Sequence, residues 1–228
     1  MTAGETIIRS RAPLRLGLAG GGTDVMPYCS ERGGLVLSAS INKYAYANWA
    51  LNSGALVVNS RDLDVVQEVK DLVSYDGKID LIKATLKVMN VELGKHGGNI
   101  ELYSDAPVGS GLGTSSAVNV GLIGALWEGL GLTRDKPLHR LQTRQEIAQL
   151  AYITERKELG IAGGYQDQYI SSYGGLCLIE NKPGKNDIIV TPFRTHDEAI
   201  AEIESAMILC NIKQQRMGGS IIQEQIKS

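Results

Sequence analysis

Apolar and polar positions alternate with a strand-like period in several stretches of the chain and switch to helical spacing in others. Residues 6–19 (TIIRSRAPLRLGLA) read as extended, with Pro13 confining any pairing there to a strand edge or a break. They run into a tight polar loop, Gly20-Gly21-Gly22-Thr23-Asp24. Residues 35–40 and 43–50 are predicted strands, the second setting Tyr44, Tyr46 and Asn48 against Ala45, Ala47 and Trp49. Ile79, Ile82, Leu86, Met89 and Leu93 fall at helical spacing and predict a helix over 78–93. After Gly97-Gly98, residues 99–104 return to strand. Residues 118–132 are apolar or small on most sides, which predicts a helix buried all round, with 109–116 as its lead-in loop. A further helix fits 141–159. Strand-like pieces follow at 169–181, 187–193 and 205–212, with a helical stretch near 196–205 and another beginning at 220–228. No repeat or linker interrupts the chain. Strands, then helices, then strands predict an α+β fold.

Composition narrows the function classes. A chain of 228 residues, 43% hydrophobic and 21% charged, can bury a sizeable core. Its net charge of -2 supplies no large basic field, so no nucleic-acid partner is expected. Cys29, Cys177 and Cys210 are odd in number and far apart, which excludes a paired disulfide framework and any C-x-x-C motif. No run approaches the roughly 18 apolar residues of a membrane span, and Glu5, Arg9 and Arg11 stand where a signal peptide would be apolar. A cytoplasmic location without a membrane partner is the expectation. Glycine, at 27 residues, exceeds the average share of about 7%, and its clustering points to the chemistry.

The strongest local signal is Pro107-Val-Gly-Ser-Gly-Leu-Gly-Thr-Ser-Ser-Ala117, leading into the buried helix. Gly109, Gly111 and Gly113 permit positive φ and let backbone N–H groups converge, while the helix N-terminus adds unpaired donors and partial positive charge. This combination forms a phosphate cradle. It lacks the Gly-Lys-Ser/Thr of a Walker A loop and the ribose-binding acid of a dinucleotide fingerprint. The alternative is an ordinary helix start capped by Thr114 or Ser115.

Glu155 shares an i, i+4 row with Ile147, Ala151 and Leu159, so a carboxylate sits on the stripe that should face the core. No Lys or Arg lies three or four positions from it. Either a bound Mg²⁺ supplies the missing charge, or Glu155 reaches water at the edge of the stripe. Asp167 lies in Gly163-Gly164-Tyr-Gln-Asp-Gln-Tyr, where it is either a turn residue or a carboxylate aimed into a cleft. In a cleft it could take a proton from an alcohol, with Arg15 offsetting developing charge; alone, Arg15 reads as a surface strand residue. His96, His139 and His196 are isolated, so no metal–imidazole site is visible, and the Gly-x-Ser-x-Gly spacing of a hydrolase elbow is missing. Tyrosines 44, 46, 165, 169 and 173 either line a polyol site or are half-buried strand residues.

Three motifs in order resemble the galactokinase, homoserine kinase, mevalonate kinase and phosphomevalonate kinase (GHMP) superfamily. Ala12 to Asp24 is similar to its substrate motif, Pro107 to Ala117 to its phosphate loop, and Glu155 with Gly163 to Asp167 to its metal and base segment. Their variants here resemble the heptose 7-phosphate kinases, with fucose kinases as relatives. The resemblance implies a ribosomal-protein-like two-layer β/α domain over 1–204 and the start of a ferredoxin-like second domain over 205–228. It implies transfer of phosphate from ATP to the anomeric hydroxyl of a sugar phosphate, with Mg²⁺, in nucleotide-activated heptose synthesis for surface glycans.

By this resemblance Asp167 is the base and Arg15 its electrostatic partner. Asp24, Gly22, Thr23, Tyr44 and Gly164 bind the sugar. Pro107, Gly109, Ser110, Gly111, Leu112, Gly113, Thr114, Ser115 and Ser116 hold the ATP phosphates, and Ser115 with Glu155 holds the metal, uncertain by one position along Thr114–Ser116. Family members carry a later Ser-Gly-Ala-Gly motif, absent here after Asp167. A catalytically silent nucleotide- or sugar-phosphate-binding module is therefore the rival expectation. No basic cluster in the sequence can be assigned to a second substrate phosphate, for which Lys43 and Arg11 are no more than guesses. Apolar positions Ile208, Ile221 and Ile222 at the C-terminal edge would favour a homo-oligomer.

Overall fold

A computed structural model describes residues 6–184, 187–208 and 210. Its frame is the antiparallel pair β1 (Thr6–Ala19) and β2 (Gly34–Asn52), which continues from Thr6 opposite Leu51 to Ala19 opposite Leu37. The pairing slips between Pro13 and Arg15: Pro13 faces Tyr44 but Arg15 faces Ser40. Proline has no N–H to give the ladder, so the strand breaks register here, as its sequence predicts. The two strands expected at 35–40 and 43–50 are one long strand, and the residues between them form the bulged part of β2. On its other edge β2 pairs with two strands end to end: β6 (Leu176–Asn181) against 34–39 and β5 (Gly97–Ser104) against 45–52.

The seven-stranded sheet runs β4-β3-β5-β2-β6-β7, with β1 on the free side of β2. β3 (Leu56–Ser60) and β4 (Val65–Glu68) are short strands that no sequence pattern announced, and β3 with β5 is the parallel pair. β7 (Ile188–Phe193) closes the other edge. α1 (Tyr28–Arg32) follows the Gly20–Asp24 turn, and α2 (Asp80–Val88) precedes β5.

α3 (Thr114–Gly129) is the central helix, packed on β1 and β2 with Ala117, Val120, Leu122, Ile123, Leu126 and Trp127 buried. It starts earlier than the predicted 118, so Thr114, Ser115 and Ser116 form its first turn instead of the preceding loop. Close contact with the sheet requires glycine at Gly129, where a Cβ would stand 2.4 Å from the Trp49 ring. Trp49 itself is fully buried and donates its indole N–H to the carbonyl of Gly97 at 3.1 Å.

The helix expected over 141–159 is α4 (Leu141–Tyr152) continued by one π turn, Ile153–Glu158. The wider turn closes with Leu159 N–H donating to the Thr154 carbonyl at 3.1 Å. Residues 169–173, strand-like by composition, are helical in α5 (Gln166–Tyr173). Tyr165, Tyr169 and Ile170 bury against Cys29, Cys177 and Ile179 in a second apolar cluster, and that packing overrides their β propensity. α6 (Asp197–Ala206) is the last element among the described residues, and position 205, where a second domain was expected to begin, lies inside this helix. Ser205 and Ala206, expected as strand, are helical. Ile208 is exposed, while Ile221, Ile222 and the 220–228 helix lie outside the described residues. Among the described residues, no helix is long and apolar enough to cross a membrane.

Candidate active site

The slip at Pro13 determines where Arg15 goes. Freed from the regular ladder, its backbone N–H donates to the carbonyl of Leu112 at 3.0 Å and ties β1 to the glycine loop. Its guanidinium donates to the Gly111 carbonyl at 2.6 Å and to Asp167 Oδ1 at 2.6 Å. Arg15 and Asp167 are therefore an ion pair, with side chains 16% and 22% exposed. Asp167 stands in the first turn of α5, delivered there by the irregular segment before it.

The loop lies over this pair. Gly109, Gly111 and Gly113 take φ of +79°, +76° and +73°, a region L side chains rarely adopt. A Cβ on Gly113 would come within 3.1 Å of Arg15 Cγ and 3.6 Å of Asp167 Cγ. Gly113 is the N-cap of α3, and no side chain caps that end. The first intrahelical bond is Ala117 N–H to the Gly113 carbonyl, at 3.0 Å, which leaves the amides of Thr114, Ser115 and Ser116 without an acceptor inside the helix. Capping by Thr114 or Ser115 is thus not what occurs; the Thr114 hydroxyl sits 3.1 Å from that of Ser110. Pro107 to Gly111 is exposed, so the loop backbone is open to a ligand.

A cavity of about 130 Å³ adjoins the pair, lined among others by Arg15, Gly22, Asp24, Arg156, Gly164 and Asp167. Asp24 is 2% exposed, and its oxygens accept the Gln166 N–H at 3.1 Å and the Gly22 N–H at 3.3 Å. Burial pushes its carboxyl above the ordinary value, against the pull of those two amides. Only glycine fits opposite it, because a Cβ on Gly164 would lie 1.8 Å from Asp24 Oδ2.

Two expected sugar ligands, Thr23 and Tyr44, do not line this cavity. Thr23 points away from the cavity, its hydroxyl donating to the Gly20 carbonyl at 2.7 Å and accepting the Leu35 N–H at 3.0 Å. The Tyr44 ring sits beneath the guanidinium of Arg11, 4.5 Å from its centroid. Tyr46 stacks on Tyr103, and Tyr165 and Tyr169 are core residues, so none of these tyrosines lines the cavity.

Glu155 is 2% exposed and does not reach water. It receives Ser116 Oγ at 2.9 Å, Gln168 Nε2 at 2.9 Å, Asn119 Nδ2 at 3.2 Å and Arg156 at 3.3 Å. Its cation is thus the next residue in the chain, whose long side chain folds back from the π turn. Burial still raises the Glu155 carboxyl above its ordinary value, with Arg156, Asn119 and Ser116 opposing. Arg156 also donates to the carbonyls of Gly164 at 3.0 Å and Ile161 at 3.4 Å, and a Cβ on Gly163 would meet its guanidinium at 2.5 Å. Arg156, Asn119 and Gln168 were missed in the sequence. The available signal was Asn119, an amide in a helix apolar all round, which needs a buried partner.

For a metal, the structure joins Glu155 to Ser116, while Ser115 is exposed. The oxygen donors suit a hard cation such as Mg²⁺, which commonly takes one or two carboxylates beside phosphate oxygens. Three of the four donors, Ser116, Gln168 and Arg156, fall on Oε2, while Oε1 receives only Asn119 and keeps a lone pair for an ion.

Residues 80–175 match the family model for the GHMP kinases N terminal domain. The chain is 40% identical over 207 residues to D-glycero-alpha-D-manno-heptose 7-phosphate kinase of Campylobacter jejuni, covering 89% of this chain and 58% of that protein. It is 28% identical over 207 residues to the L-fucokinase/L-fucose-1-P guanylyltransferase of Bacteroides fragilis, covering 79% of this chain and 21% of that one. The crystal structure of a D-glycero-D-manno-heptose 1-phosphate kinase from Bacteroides thetaiotaomicron superposes with a TM-score of 0.76 at 39% identity, over 88% of this chain and 64% of that one. The chain thus spans about three fifths of the length of these heptose kinases. With the glycine loop over an Arg–Asp pair on the same fold, the chain carries a GHMP kinases N-terminal domain.

Proposed function

We propose that this chain is the catalytic half of a sugar-phosphate kinase that moves the terminal phosphate of ATP to the anomeric hydroxyl of a heptose 7-phosphate or close relative. The observation that carries this is the Arg15–Asp167 pair beneath the uncapped start of α3, beside a cavity floored by Asp24. The names of the Campylobacter and Bacteroides thetaiotaomicron relatives support the substrate class.

Each residue then has a role its contacts allow. The sugar hydroxyls hydrogen-bond Asp24, which its amide partners and Gly164 hold still. The reacting hydroxyl lies within reach of Asp167, which accepts its proton as the oxygen attacks phosphorus and ADP departs. Arg15, paired with Asp167, faces the developing charge on the transferring group. The amides at Thr114, Ser115 and Ser116 and the loop from Pro107 to Gly113 hold the phosphates. Mg²⁺, when bound, would neutralise phosphate charge, and Glu155 with Ser115 or Ser116 would hold it. The second-domain boundary near 205 and self-association through Ile208 remain part of this proposal.

An ADP-release assay with heptose 7-phosphate, fucose and galactose tests the reading. Turnover is expected with the heptose phosphate; nucleotide binding without turnover on any sugar overturns it in favour of a silent binding module. Thermal shift with Mg·ATP is expected to raise the melting temperature, since a ligand of the native state must stabilise it.

A further inference from the structure

The turn that closes the candidate cavity also borders a second depression. Gly22 lines the cavity; Thr23, the next residue, lines an open groove of about 480 Å³ together with Tyr28, Arg32, Asn181 and Lys182. Arg32 and Lys182 are exposed, and neither forms an ion pair among the described residues. One carboxylate, Glu180, shares the lining, so the groove keeps an excess of positive charge.

A second observation is independent of charge. Asn181 is 8% exposed, and its side-chain carbonyl oxygen has no hydrogen-bond partner among the described residues. Buried acceptors are rarely left this way unless a ligand or water supplies the donor. A groove offering two cations and one unpaired acceptor suits a ligand with an anionic group next to hydroxyls. The other basic candidates are placed elsewhere: Arg11 lies over the Tyr44 ring, and Lys43 is exposed in the bulged part of β2.

We propose that this groove is the subsite for the phosphate ester and adjoining hydroxyl at the far end of a phosphorylated sugar, with Arg32 and Lys182 on the phosphate and Asn181 accepting from the hydroxyl. The inference rests on the sugar-phosphate reading above, and it names the residues that separate a phosphorylated substrate from a plain sugar.

Titration calorimetry on this chain tests it, with D-glycero-D-manno-heptose 7-phosphate and the unphosphorylated heptose as probes. The wild type is expected to bind the ester at least about tenfold more tightly, a modest share of what two charge-assisted contacts supply. In R32Q/K182Q the two affinities should converge, and in R32K/K182R the preference should persist; a preference undiminished in R32Q/K182Q overturns the assignment. Titrating heptose with millimolar inorganic phosphate present should give the affinity of heptose alone, and a rise to that of the ester overturns the ester subsite. Equal binding of both sugars by the wild type sinks this inference and leaves the sugar site standing. Binding of neither sinks both.

Discussion

Removing the guanidinium of Arg156 isolates a buried charge. Glu155 and Arg156 have side chains 3% and 13% exposed, so little of their interaction is lost to solvent screening. Breaking a buried pair by deleting one partner costs about 3–5 kcal/mol, because the remaining charge keeps its desolvation penalty. Arg156→Ala also strips a donor from the carbonyls of Gly164 and Ile161, which favours the upper part of that range. In a chain of this size each kcal/mol shifts the melting temperature by about 2–4 °C, so a fall of about 6–20 °C is expected. The assay is a double-mutant cycle read by thermal and urea unfolding, with Glu155→Gln as the second substitution. Removing the charge at 155 should reduce the cost of Arg156→Ala by about half or more, a coupling of about 1.5–3 kcal/mol. Strict additivity, or a single-variant loss below about 1 kcal/mol, would refute the argument that Arg156 neutralises Glu155.

Gly164→Ala places its methyl inside the contact distance of an Asp24 carboxylate that two amides pin, and it should cost about 1–3 kcal/mol and weaken sugar binding. A melt and a sugar titration both matching the wild type would contradict the clash. Asp167→Asn should lower turnover by about 10²–10⁴-fold with ATP affinity nearly unchanged, as measured by ADP release and nucleotide titration. For Asp24 the folded-state carboxyl titrates above its unfolded value, so the native protein binds the extra proton and stability falls as pH rises from the ordinary carboxylate value through the raised one. The melting temperature of Asp24→Asn should therefore gain on that of the wild type between about pH 4 and pH 7. A difference, variant minus wild type, that stays constant or falls over that interval rules out burial as the dominant influence on Asp24.

Local chemistry carried a large part of the fold and site. The glycine loop needed positive φ at three positions, and that requirement is written in the residues themselves. Pro13 announced a break in β1 because a missing N–H is a property of one residue. The apolar run of α3 predicted a helix covered on most sides, and the i, i+4 row placed Glu155 inward with Ile147 and Ala151.

Tertiary structure decided the rest, because the remaining contacts join distant parts of the chain. Arg15 reaches Asp167 across 152 residues and Asp24 meets the Gln166 amide across 142, separations at which no periodicity survives. The partner of Glu155 depended on a π turn that aims Arg156 back at its neighbour, and Ser116, not Ser115, meets the carboxylate because the helix begins at Thr114. Residues 169–173 carry strand-forming side chains yet are helical, since burying Tyr169 and Ile170 against β6 outweighs their intrinsic preference. Side-chain chemistry was thus legible one residue at a time, while which groups face each other was set by the packing of the helices on the sheet.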